Sequence, residues 1–356
     1  MFRSVDNPWL NRFAVLTAVA TLVLIGVGGV VTSRGVGMSV PDWPTTYGYN
    51  MFLFPVSKWV GGILYEHSHR LAASAVGFMT VILAVWLWVK EARSWLRWLG
   101  VIALLSVMLQ GVLGGLRVIL FKDEIGIFHA ALAQLFFVTV CAIALFTSRW
   151  WREVQAALKP VPDQKGLRRV ILAGTIFIFA QLILGATMRH QHAGLAIPDF
   201  PLAYHKLWPP MDAASVASYN AHREEISALN PITAFQIGLQ MAHRITAVLI
   251  LITVAACAWL ARRQLGPRNP VSKLALAWLA LILTQAALGA ATIWSNKAAD
   301  IATAHVVVGA LSLSAGSLLT IVSFRLLYPV RAVATTGSES SVNPIVTGSP
   351  AATHAK

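Results

Sequence analysis

Four histidines sit inside long apolar segments of this chain: His69, His129, His243 and His305. Ionisable side chains at such depth are costly and mark functional sites. Two of them recur in the same dipeptide, His69-Arg70 and His243-Arg244. The other two open later segments, as Phe128-His129-Ala130 and Ala304-His305-Val306. One carboxylate breaks the repeat. Glu66-His67-Ser68-His69-Arg70 is matched by Gln240-Met241-Ala242-His243-Arg244, so E-x-x-H-R faces Q-x-x-H-R. A spacing of three puts Glu66 on the helical face of His69, one turn nearer the segment end. A carboxylate there can take a proton or stabilise developing positive charge, whereas an amide is a poor base. Chemistry is therefore expected beside the first histidine pair. The alternative is that Glu66 merely pairs with an arginine such as Arg70.

Membrane helices must position these residues. The chain is 57% hydrophobic and only 12% charged, against about 25% charged in soluble domains. Apolar runs near the membrane-crossing length of roughly 20 residues fall at about 13–33, 64–89, 98–117, 126–148, 168–188, 237–260, 274–294 and 301–326. The strict alternation of barrel strands is absent, so helices are predicted. Even-numbered spans all run the same way, which brings His69 level with His129 and His243 level with His305. Facing histidines in a four-helix bundle can clamp a heme at both axial positions. Zinc would want three or four ligands, and each pair offers two. A single such histidine would read as a satisfied core residue; four in duplicated positions do not. Arg70 and Arg244 suit anionic heme propionates or are snorkelling interfacial residues. His67 points elsewhere on its helix. His190, His192, His205 and His222 read as solvated loop residues, with Arg189-His190-Gln191-His192 the exception to watch, and His354 lies in the tail.

The repeat extends to the loops. Gly37-Met-Ser-Val-Pro-Asp-Trp-Pro44 is echoed by Gly194-Leu-Ala-Ile-Pro-Asp-Phe-Pro201. A Q-x-x-L-G-small pattern recurs at Gln110 to Gly115, Gln181 to Ala186 and Gln285 to Ala290; its small residues allow close approach of a helix or of a flat ligand. The expected fold is an all-α membrane protein: eight transmembrane helices as two tandem four-helix bundles, related by a pseudo-two-fold axis along the membrane normal. The expected parts are an N-terminal half (1–148), a basic linker (149–169), a C-terminal half (170–328) and a disordered tail (329–356). The net charge of +14 does not indicate nucleic acid. Its Lys and Arg concentrate in alternate loops and at the ends, so the positive-inside rule puts both termini in the cytoplasm. The first span is expected to be a retained anchor. Cys141 and Cys257 lie within spans, and no C-x-x-C-H marks a covalent heme.

Over about residues 12–326 the chain resembles the heme A synthase family. The resemblance rests on Gly28-Gly29-Val30-Val31-Thr32-Ser33-Arg34, the P-D-W-P loop, Glu66-x-x-His69-Arg70, Gly114-Gly115-Leu116-Arg117, and His129, His243 and His305. It implies oxidation of the C8 methyl of heme O to a formyl group, through two successive hydroxylations and loss of water, for cytochrome oxidase. By the same resemblance, His69 and His129 would flank heme O, His243 and His305 would ligate heme b, and Glu66 would be the catalytic carboxylate. The implied partners are a heme O synthase (protoheme farnesyltransferase), a membrane electron donor, cytochrome oxidase assembly and the lipid bilayer of the cell (inner) membrane; a homo-oligomer is compatible. Some relatives carry a cysteine pair in the first outer loop, and this chain does not. The rival reading is a non-enzymatic diheme cytochrome b passing electrons from quinol, which leaves the Glu66/Gln240 difference unexplained. A transporter is a further rival, although no broken midplane helix is visible.

Overall fold

The computed structural model describes residues 7–157, 164–223 and 231–327. Among these, eight helices are long and apolar enough to cross a membrane. They are α1 (Pro8–Ser33), α2 (Gly61–Lys90), α3 (Ser94–Ile119), α4 (Glu124–Thr147), α6 (Lys165–His190), α8 (Ala234–Leu265), α9 (Pro270–Trp294) and α10 (Ala299–Leu326). Two short helices lie between them, α5 (Arg149–Ala157) and α7 (Ala213–Ala221). The protein is a multi-pass membrane protein with an all-α fold.

The helices outrun the apolar runs that announce them, because polar ends still find partners. The Asn7 side chain accepts from Leu10 N at 3.0 Å, and Pro8 occupies the first turn, where its missing N–H costs nothing. Asn11 then donates to Ala144 O at 2.7 Å, tying α1 to α4. At α8, Thr233 and Gln236 form a capping box, and the helix carries on through Arg262 and Arg263 before Gly266 ends it. The segment 149–169, expected as a linker, is largely helical where it is described. Trp150 and Trp151 interrupt its charges, so α5 is amphipathic and buries Trp151, over which the Arg325 guanidinium lies at 4.0 Å. Residues 158–163 and the expected tail, 329–356, lie outside the described residues.

Packing divides the helices into two rings. α1 packs on α2 and α4, and α3 on the same two; α6 packs on α8 and α10, and α9 on the same two. The rings meet where α1 touches α10 and α4 touches both α6 and α10. As a result α4 and α10 are the most enclosed of the eight spans. The buried apolar residues form two main clusters that follow these rings. One gathers Leu83, Leu87, Phe136, Phe137 and Ile143; the other gathers Ile171, Val254, Trp278, Leu313 and Leu319. The opposite faces present Val, Leu, Ile and Phe outward, as a lipid-facing surface does.

Candidate functional site: two histidine pairs under matched loops

Each of the four histidines lies on one helix and leans against a glycine of its neighbour. A β-carbon added at Gly28 on α1 would stand 3.0 Å from His69 Cε1. The same addition at Gly114 on α3 would stand 3.5 Å from His129 Cε1, at Gly185 on α6 3.3 Å from His243 Cε1, and at Gly289 on α9 3.2 Å from His305 Cε1. The glutamine four residues before three of these glycines ties the helices together. Gln110 Nε2 donates to His129 O and Gln181 Nε2 to His243 O, both at 2.9 Å, while Gln285 Nε2 lies 3.5 Å from the His305 ring. The sequence shows three copies of this pattern; the fourth, at Gly28, was missed because Leu24 stands where the glutamine would be.

The rings are half-buried, and the Nδ1 atom of all four is enclosed without a hydrogen-bond partner. Buried polar atoms are seldom left so, and four at repeated positions point to a ligand. His129 lies within electrostatic reach of His69, and His243 within reach of His305. Paired imidazoles, orphaned nitrogens and glycine walls that a side chain would obstruct suit a flat macrocycle in each ring of helices.

Above each pair sits a loop of the same architecture. In the first, Glu66 Oε2 accepts from Val40 N at 2.9 Å and Oε1 from Arg70 at 2.8 Å. Arg70 also donates to the carbonyls of Val40, Asp42 and Thr45 at 2.8, 2.7 and 3.0 Å. In the second, Gln240 Oε1 accepts from Ile197 N at 2.7 Å, and Arg244 donates to Asp199 O and Leu202 O at 2.7 and 2.8 Å. The difference is one of charge. The Gln240 amide donates to Gly194 O and Ile197 O, where Glu66 accepts from a guanidinium. Glu66 thus makes the arginine pair that the sequence left as an alternative. Arg70 and Arg244, expected near propionates, use their terminal nitrogens to hold the loops onto the helices. Within the first loop, Asp42 accepts from Gly48 N, Thr45 Oγ1 and Tyr47 N. Burial pushes the Asp42 carboxyl up, and these donors outweigh it, leaving it below its ordinary value.

The remaining histidines separate cleanly. His67 is fully buried; its Nδ1 meets Thr46 Oγ1 at 3.2 Å, and its ring packs against Phe54 and Trp59. His192, His205 and His222 are exposed, as expected of loop residues. His190 is not solvated. It ends α6 and fits against Gly126 of α4, with Nδ1 3.9 Å from Asp123 Oδ1 and a side chain only 8% exposed. Its neighbour Arg189 donates to Gly29 O at 2.7 Å and to Ser33 Oγ. Asp123 also pairs with Arg117 at 3.0 Å. The doublet Arg189-His190 gave only a hint of this bridge, since its partners on α1 and α4 are more than 60 residues earlier.

Fold and site together define a multi-pass membrane protein with two half-buried histidine pairs beneath matched polar loops. The chain belongs to the COX15-CtaA family of cytochrome oxidase assembly proteins, which matches residues 54–316. It is similar to the heme A synthase of Halalkalibacterium halodurans, 27% identical over 84% of this chain and 92% of that one. It is also similar to the heme A synthases of Geobacillus kaustophilus, 28% identical over 83% and 86%, and of Shouchella clausii, 28% identical over 81% and 88%.

Proposed function

We propose that this protein is a heme A synthase, an oxidoreductase that converts the C8 methyl of heme O to a formyl group by two successive hydroxylations for cytochrome oxidase biogenesis. The family and the similar heme A synthases support the reaction class. In this reading residues 1–148 form the substrate half and 170–328 the heme b half, two bundles related by a pseudo-two-fold axis along the membrane normal, with both termini cytoplasmic. His69 and His129 flank the substrate heme O, and His243 and His305 hold heme b. The pattern of helix neighbours, unchanged when the two rings are exchanged, supports this arrangement.

The observation that carries the reading is a carboxylate in place of an amide at one matched position, Glu66 of α2 against Gln240 of α8. Glu66 and Gln240 accept equivalent backbone N–H groups, from Val40 and Ile197. Of these two positions, the one in the first half carries the carboxylate, three residues from His69 in the chain. Bound heme b would supply electron-transfer capacity; the chain supplies position and charge. Glu66 is held by Val40 N and Arg70, so its orientation is fixed before substrate arrives. Each carboxylate oxygen keeps a further acceptor site, through which it stabilises positive charge developing at the oxidised carbon or takes a proton from water. The glycines let each imidazole lie close against the neighbouring helix, which fixes where the ring stands.

The test is expression with a heme O source, followed by chromatography of the extracted hemes. Wild type should yield heme A. Glu66→Gln should keep its heme content while forming heme A about a hundredfold more slowly or worse. Full activity in that variant would remove Glu66 from the chemistry, and extraction of heme b alone from wild type would overturn the enzyme reading.

A further inference from the structure

We infer that Arg117 takes a propionate of the substrate porphyrin, with Asp123 holding one of its terminal nitrogens in place. The inference rests on the proposed heme O site. A heme brings two carboxylates, and burying them beside a protein calls for donors with positive charge. Arg70 is unsuited, because its terminal nitrogens already hold Val40, Asp42, Thr45 and Glu66. Arg117 is differently placed. It stands in the last turn of α3, three residues beyond Gly114, the glycine against His129. It lies within electrostatic reach of both His69 and His129.

Its guanidinium is only partly used. Nη2 pairs with Asp123 at 3.0 Å, while Nε is buried without a hydrogen-bond partner. An unsatisfied buried donor on a cation costs more than one on a neutral group, and a carboxylate would relieve it. The first loop packs directly on this guanidinium: a β-carbon at Gly37 would stand 2.9 Å from Arg117 Nη1, so only glycine there lets the side chain keep its place. Asp123 is shared with His190 of α6, whose Nδ1 is 3.9 Å away, and Arg189 lies next to His190 in sequence. Asp123 thus engages one terminal nitrogen of Arg117, and the rest of the guanidinium's positive charge has no carboxylate paired with it. The second half has Thr292 at the position matching Arg117, three beyond Gly289. Like Glu66, this arginine occurs only beside the first pair.

The test compares heme O with its dimethyl ester, by absorbance titration of the purified full chain without turnover. The signal read is the component that disappears in His129→Ala. Wild type should bind the free acid roughly tenfold or more tightly than the ester. Arg117→Gln should lose that preference by weakening the acid and leaving the ester unchanged. Arg117→Lys, which keeps the charge but not the fork, should retain part of it, and it decides the matter if the glutamine variant fails to fold. Equal loss for acid and ester, or no loss for either, overturns the assignment. Heme A formation by wild type judges the proposed function separately: its absence with an intact acid preference sinks that reading and spares Arg117.

Discussion

Asp42 organises the first loop through its side chain, while its carbonyl is held by Arg70. Its folded pKa lies below the ordinary 3.8. A group depressed in this way stabilises the fold above its unfolded value, and that stabilisation disappears as pH falls through the folded value. Protection from hydrogen exchange over residues 37–49, taken relative to the intrinsic rate at each pH, should therefore be high near neutrality and fall below about pH 4. Asp42→Asn should exchange faster at neutral pH and lose the acid dependence; a loop insensitive to both changes would refute this account. The residue scale was also where the sequence was most legible. The histidines and the two loops announced themselves by repetition, and Glu66 by breaking it. The partners of Arg70 did not, because a guanidinium beside a histidine satisfies a propionate rule and a loop-carbonyl rule equally well. Only the Val40, Asp42 and Thr45 carbonyls distinguish them.

At the scale of helices, the two halves fill one matching level in opposite ways. Trp278 of α9 is fully buried, donates to Ser312 O at 2.9 Å, and presses into Gly174 and Gly316. By the alignment of the glycines and histidines, the first half has Ala103 there, with Thr17 and Val140 opposite, all three buried. One large residue between two glycines replaces three of middling size, as close packing at fixed volume requires. Trp278→Ala should cost about 3 kcal/mol or more, read as a lower thermal midpoint in detergent, and Gly316→Val should destabilise by crowding the indole. A midpoint unchanged in both would show that this level is loosely packed. All eight spans were visible as apolar runs, yet their ends were not. Hydropathy stops at Asn11 and Arg262, whereas hydrogen-bonded ends and basic residues carry α1 and α8 further. α5 was hidden because its basic residues outweigh Trp150 and Trp151 in any simple average.

For the whole molecule, the basic loops set the orientation to be tested. Lys90, Arg93 and Arg97 flank the turn after α2, and Arg262, Arg263, Arg268 and Lys273 flank the turn after α8. Alkaline phosphatase, which is active only outside the cytoplasm, should be inactive when fused after Ala92 or Pro267 and active after Trp208. Activity at the first two sites would reverse the topology and place both histidine pairs at the cytoplasmic face. The number of spans followed from composition, which acts on segments independently; their direction is the charge reading that these fusions test. How the two rings meet could not be read this way, since it depends on α4 and α10 being enclosed by helices far along the chain.

The bridge made by Arg189 and His190 gives the duplication a direction. These two residues close α6, yet they rest on Gly29, Ser33, Asp123 and Gly126 of the other half. The reverse connection is not built the same way, because Thr32 stands where its twin would need Arg189. The halves are consequently no longer interchangeable parts: the end of α6 rests on the first half through Arg189, which also lies within electrostatic reach of His305 in its own half. Mutational drift at the end of α6 is thus felt in both halves, and a swap of halves between relatives would have to carry that helix end along with the surface it rests on.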